Sequence, residues 1–281
     1  MDVRYRLLVF VLIVNCSWIK PSAAQAVRTG SAQTIEWLAA EADVVVRARV
    51  DDRTIPPVGP WSRSGARAVE TIKGKVAEGF EFAAYSSPEL LRRYRGREVL
   101  LFLDSENRHI YQQPNPPPCP LVLGYAAAQW QVIGLDGDPA DFAVTMDLTV
   151  LTRPESIMAA ARAAVAYSAG RPRPKIYWLP VVPFKTEVSE RVSGFNSAGM
   201  FFPLDDRLPR KAREWTKSPN PFVRVEGAGI LSRYRTEENI AILKAFLSDT
   251  TIEGGQYLVR TGAFNVLTGW GVDCGNPVLK P

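Results

Sequence analysis

The sequence predicts a mixed α+β chain, with a small N-terminal β-barrel or sandwich followed by a C-terminal α-helical repeat segment. Three observations carry this. Between residues 27 and 150, short β-branched runs alternate with Pro/Gly-rich turns. From Leu204 onward the apolar residues recur at helical spacing. That helical region also writes the same helix twice: "NPFVRVEGAGIL" begins at 220, and "YLVRTGAFNVL" places Val259-Arg260 thirty-six residues after Val223-Arg224.

The elements follow in order. "MDVRYR", then the 13-residue run "LLVFVLIVNCSWI", then "KPSAAQA" have the three-part layout of a secretory signal over residues 1–26, with cleavage after Ala24 or Ala26. Thirteen helical residues rise about 20 Å, against a bilayer core of about 30 Å, so an anchor is the weaker reading. No later stretch is long enough to span a membrane. The expected location is extracytoplasmic, periplasmic or secreted. The basic residues are mostly Arg, as in a GC-rich bacterial coding sequence.

Residues 27–150 read as the β-rich domain. "TIEWLAAEA" is a short helix with Thr34 as its cap. In "DVVVRARVDD", Val44, Val46, Ala48 and Val50 alternate with Val45, Arg47 and Arg49, which predicts a strand. "RTIPPVGPWSRSG" reads as a loop. "ARAVETIKGK", "GFEFAAYSS" and "EVLLFLD" are further strands, and "ELLRRYRGRE" is a short helix or turn. "RHIYQQ" adds a possible strand. "QWQVIGLD" and "FAVTMDLTVL" flank "GDPAD", a hairpin signal that would close this domain. Residues 151–204 hold a helix, 153–170, and a Pro-rich extended linker or edge strand around "RPRPKIYWLPVVPFK" and "GMFFPLDD". Their aromatic residues form either an exposed patch or packing between domains. Residues 205–281 are the helical repeats, with "SPNP" and "TTIEGG" each breaking the chain between the two helices of a pair.

Removing the signal lowers the net charge from +5 to +3. That is too mild for a nucleic-acid footprint, and an exported protein rarely meets one. His109 is the only histidine, which excludes a three-His zinc site, and no other residue set implies a cofactor. Paired with Cys119 as base and nucleophile, it would lack an orienting acid. G-x-S-x-G, G-x-x-x-x-G-K-[ST] and H-E-x-x-H are absent. Asp136, Asp138 and Asp141 could hold a hard cation or simply decorate a turn. Arg92, Arg93, Arg95 and Arg97 could meet an anionic surface or form a solvated face. After export, Cys119 and Cys274 could form a disulfide or stay as two thiols.

Asn220, Pro221, Val223, Arg224, Gly227, Ala228 and Leu231, echoed by Val259, Arg260, Gly262, Ala263 and Leu267, resemble the second helix of HEAT repeats. The resemblance covers residues 205–272. It implies two stacked helix pairs, with Arg224 and Arg260 bracing neighbouring repeats, ligand binding being the alternative, and Asp249 as a candidate partner. It also implies a cap for the stack, supplied by the N-terminal domain or the 153–170 helix. More loosely, the order helix, "EADVVVRARV", "ETIKGK", "REVLLFL" over 34–104 resembles the oligonucleotide-binding-type barrel of the netrin module, the scaffold of tissue metalloproteinase inhibitors. Those inhibitors act through an N-terminal Cys, which neither cleavage option leaves here, so inhibition does not carry over. The expected function is therefore non-catalytic protein–protein interaction. The alternatives are a hydrolase whose carboxylates meet only in the fold and a protease-inhibitor-like module.

Overall fold

The computed structural model describes residues 30–59, 61–85, 88–105, 117–122, 132–180, 188, 199–275, 277–279 and 281. The signal segment 1–26, the strand expected at "RHIYQQ" and His109 lie outside them. The molecule is mixed α+β: a closed barrel, a second sheet and a C-terminal set of helices.

The chain enters through β1 (Gly30–Thr34) and α1 (Ile35–Glu41). Thr34 does two jobs: its hydroxyl oxygen accepts from Trp37 N as the helix cap, and the hydroxyl donates to Phe201 O at 3.1 Å. Next come β2 (Val44–Val58), β3 (Trp61–Lys73), β4 (Gly79–Tyr85), α2 (Pro88–Arg93), β5 (Glu98–Asp104), β6 (Leu121–Val122) and β7 (Val132–Gly134). β2 pairs with β3, β3 with β4, β4 with β6, β6 with β5, and β5 returns to β2. This closes a five-strand ring in which only β4–β6 is parallel. β7 adds to β5 beside β6. Closure removes the free edges that an open sheet would expose.

The period-two pattern sets the two faces of the wall. Val44, Val46, Ala48, Val50, Val99, Leu101 and Leu103 point inward, where α2 contributes Leu91 and, just beyond its end, Tyr94 follows. Val45, Leu100 and Phe102 point outward onto Trp37 and Leu38 of α1. The Lys73-Gly74 turn has a physical reason. Lys73 Nζ donates to Ala39 O and Ala40 O at 2.7 and 3.2 Å, satisfying the last carbonyls of α1. Gly74 has φ +74°, and a Cβ there would lie 2.2 Å from Asp43 O.

Two expectations change. The segment read as a loop from Arg53 to Gly65 is the end of a long β2–β3 hairpin, with Ile55 opposite Arg63 and Val58 opposite Trp61. Pro56 and Pro57 fall in the register shift between those pairs, where a missing N–H breaks no ladder bond. The "GDPAD" segment makes no hairpin between its flanking strands. β7 belongs to the barrel, whereas β8 (Phe142–Val144) crosses to the second sheet and pairs with β9 (Val150–Leu151).

That second sheet runs β10-β11-β1-β8-β9, with β10 (Lys175–Pro180) and β11 (Gly199–Leu204) antiparallel and β1 parallel to both of its neighbours. α3 (Pro154–Ser168) packs beside α1. Tyr177, Phe201 and Phe202 are buried, and the two phenylalanines pack on opposite faces of the sheet. Phe201 meets Trp37 at 5.8 Å between ring centroids, and Phe202 meets Trp215 edge-on at 5.7 Å. Thus the segments 27–150 and 151–204 share one sheet.

The C-terminal region holds α4 (Arg207–Trp215), α5 (Pro221–Leu231), α6 (Glu237–Phe246), the two-residue strands β12 (Ile252–Glu253) and β13 (Gln256–Tyr257), and α7 (Leu258–Gly269). Asn220 caps α5 through Phe222 N, and Thr236 caps α6 through Asn239 N. Leu208, Ala212, Trp215, Val223, Ile230 and Leu231 cover the face of the second sheet that bears Val144, Met200 and Phe202. The sheet, not α3, therefore lies against the first helix pair. The two copies of the repeated helix, α5 and α7, meet each other: a Cβ on Gly262 would touch Val225 at 3.4 Å.

Candidate binding surfaces

The helical residues singled out by the repeat sort into core and brace. Val223, Leu231, Val259 and Leu267 are buried. Arg224 Nη1 donates to Ser218 O and Pro219 O at 2.8 and 3.0 Å, and Nη2 reaches Thr251 Oγ1 at 2.8 Å and Asp249 at 3.2 Å. Arg260 donates from Nε to Asp249 O at 3.1 Å and from Nη1 to Val278 O at 2.6 Å. Asp249 is therefore shared, by its carboxylate in one case and its carbonyl in the other.

Arg93, the last residue of α2, and Arg97, in the turn that follows, reach the three carboxylates of "DGDPAD". Arg93 meets Asp138 at 2.8 Å and Asp141 at 3.2 Å. Arg97 pairs with Asp136 and meets Asp141 at 3.2 Å. Tyr94 OH donates to Asp141 at 2.8 Å. The Arg97 guanidinium holds the Asp136 carboxyl below the usual carboxylate range. A hydrogen bond from Ala140 N, and then Arg93, does the same for Asp138. The cation-loop reading gives way here, because guanidinium and phenol donors already occupy these oxygens. Among the described residues, no three His, Cys, Asp or Glu side chains are grouped to hold a metal ion.

A cavity of about 400 Å³ lies where α3 ends against β10, β11 and the start of α4. Tyr167 stands in it between the guanidinium groups of Arg171 and Arg207, which lie 4.1 and 3.8 Å from the ring centroid. Its hydroxyl donates to Asp206. Arg173 is held by Asp43 at 2.6 Å and Arg207 by Asp205 at 2.6 Å. A second cavity, about 300 Å³, lies between Arg47 of β2 and Met158 and Arg162 of α3. A third, about 200 Å³, opens between the β2–β3 hairpin and α2 and takes in Arg92 and Arg95.

Two half-buried carboxyls had no signal in the sequence. Burial pushes Glu36 up to about 7, although it accepts a hydrogen bond from Met146 N at 3.0 Å. Burial alone pushes Glu226, on α5, up to about 7. Beside it, burial and then the Glu226 charge push Tyr177 up to about 12, and Arg233 sits 5.0 Å over the Tyr177 ring. Neither carboxyl lines one of the three cavities.

Cys119 and Cys274 are both free thiols. Cys119 packs with Trp61, Ala83 and Leu121 on the barrel, and Cys274 packs against the α6–α7 core, so they belong to separate clusters. Among the described residues, no helix is long and apolar enough to cross a membrane. Comparison with protein-family models finds no match, and neither does comparison with curated proteins.

Proposed function

We propose that this chain is an exported, non-catalytic protein–protein interaction protein, in which two HEAT-like helix pairs supply a partner-binding surface. One observation carries the reading. The same arginine, at the same place in two helices 36 residues apart, turns to the same Asp249. A unit that recurs with its own brace stacks in register, and stacked helix pairs offer an extended face to a partner. The barrel supports the second module of the reading. Its order, first-second-third-fifth-fourth-first with one parallel pair and a helix between the third and fourth strands, is the connectivity of an oligonucleotide-binding-type barrel.

The test uses the chain from residue 27 onward, which contains every described element. A photo-crosslinking side chain replaces Ala241 or Ala245, both exposed on α6. The protein is then exposed to the extracytoplasmic fraction of its source cell. A partner attached at these positions, and not at exposed Val69 on the barrel, is the expected result. Absence of any adduct at α6 overturns the reading.

A further inference from the structure

The cavity of about 400 Å³ at the end of α3 carries more positive charge than the described carboxylates cancel. Arg171, Arg173, Lys175 and Arg207 line it. Three carboxylates answer them: Asp206 lies 3.5 Å from Arg171, Asp43 2.6 Å from Arg173 and Asp205 2.6 Å from Arg207. Four cations against three carboxylates leave one charge, and it resides on Lys175, whose side chain makes no hydrogen bond or ion pair with any described residue. Lys175 begins β10 opposite Leu204 of β11, so the two side chains leave the same face of the sheet and both reach the cavity. An unanswered charge beside apolar surface favours an anion that also has apolar surface to bury.

The geometry points to a binding site for a small organic monocarboxylate, its carboxylate on Lys175 and Arg171 and its carbon portion against Pro172, Pro174 and Leu204. Arg171 is the second donor because its ion pair is the longest of the three. Its guanidinium, laid 4.1 Å from the Tyr167 ring centroid, is held in place with N–H groups to spare. The wall is preformed: Pro172 and Pro174 fix their own φ, and Asp43 anchors Arg173 between them, so little order is lost on binding. The volume falls within the range of about 300 to 1,000 Å³ that holds small ligands, and the lining is mostly apolar with a few polar groups, as such sites require. One remaining charge matches one carboxylate, whereas a phosphate monoester brings about −1.5 to −2 and leaves an excess in that setting. The carbon portion can be an alkyl chain or an aromatic ring, since the recognised chemistry is the same.

The chain from residue 27 onward is titrated calorimetrically with hexanoate and with benzoate, at low ionic strength and neutral pH. Acetate has the carboxylate without the apolar body, and hexanol has the body without the charge, so both serve as comparisons. The variants are Lys175→Gln and Arg171→Gln, both exposed at the cavity, and Lys244→Gln, an exposed lysine of α6 that removes the same charge elsewhere. The expected result is saturable binding of hexanoate or benzoate, weakened about tenfold by either cavity variant and barely by Lys244→Gln, with acetate and hexanol about tenfold weaker than that acid. The tighter of the two acids assigns the carbon portion as alkyl or aromatic. No saturable binding of either acid, equal weakening by Lys244→Gln, or acetate binding as tightly as the better acid overturns the proposal.

Discussion

The barrel and the C-terminal helices both use arginine to tie together segments distant in sequence, but they embed the tie differently. At the barrel, Asp141 has a side chain with no exposed surface and receives Tyr94 OH, Arg93 and Arg97 together. It stands where the chain leaves β7 for β8, so it joins the ring to the second sheet. In the helices, Arg224 and Asp249 keep 14% and 17% of their side-chain surface, and much of the bonding of Arg224 goes to carbonyls of the loop between α4 and α5. The first tie compensates a buried charge, whereas the second satisfies loop carbonyls. The difference teaches that burial of the acceptor, rather than the number of ion pairs, sets how much each tie is worth.

The largest effect is expected at Asp141. Asp141→Ala leaves two guanidinium groups and a buried phenol facing an empty position, at a cost of about 3 kcal/mol. A urea titration should show the midpoint fall with an unchanged slope. A loss no greater than that of Arg224→Ala would break the comparison.

Next is Glu226, a half-buried acid on the same helix as Arg224 whose carboxyl is shifted by desolvation alone. Its folded-state value of about 7 exceeds the ordinary 4.5, so the folded protein holds the proton more tightly than the unfolded chain. The resulting contribution is fully present below about pH 4.5 and is lost as pH rises to about 7. Glu226→Gln should therefore raise stability by roughly 2 kcal/mol at pH 8 and leave it unchanged at pH 4. The variant keeps some slope in that window, because Glu36 shifts in the same direction. Equal gains at both pH values would show that packing beside Tyr177, and not charge, governs this position.

Arg224→Ala comes third, at about 1.5 kcal/mol, since it unties Ser218 O, Pro219 O and Asp249 at a partly wet site. Hydrogen exchange should quicken in α6 and α7 while the barrel strands stay protected. An unchanged melting curve and exchange pattern would remove the brace from the account.

The elements legible in the sequence are those with a local period or a local cap. Val44, Val46, Ala48 and Val50 announce an inward face by alternation alone. Thr34 and Thr236 announce helix starts, and the apolar spacing from Leu204 onward announces helices. β1 is invisible there: "GSAQT" has no apolar period, and its partners arrive from Phe142 and Phe201, more than 100 residues later. A loop at Arg53–Gly65 is the wrong expectation because Pro and Gly mark turns equally well inside a bulged hairpin. The same limit hides the neighbours of the arginine run. Arg92 and Arg95 look identical in sequence to Arg93 and Arg97, and only the arrival of the β2–β3 hairpin on one side and Asp136–Asp141 on the other separates them.

The smallest effect sharpens the comparison most. Arg162 on α3 and Glu70 on β3 form a two-pronged pair, 2.9 and 2.8 Å, across 92 residues of sequence. Its hydrogen-bond geometry is as good as that of the Arg224 brace, but its side chains are 50% and 35% exposed. Arg162 stems from a helix already anchored by Ile157, Met158 and Ala161 against α1 and the barrel wall. Water and salt screen such a pair, and holding two long side chains offsets most of the attraction. Arg162→Ala should leave the melting curve where it was. If instead it lowered stability as much as Arg224→Ala, good geometry alone would suffice, and the ranking from Asp141 to Arg162 by burial would fail.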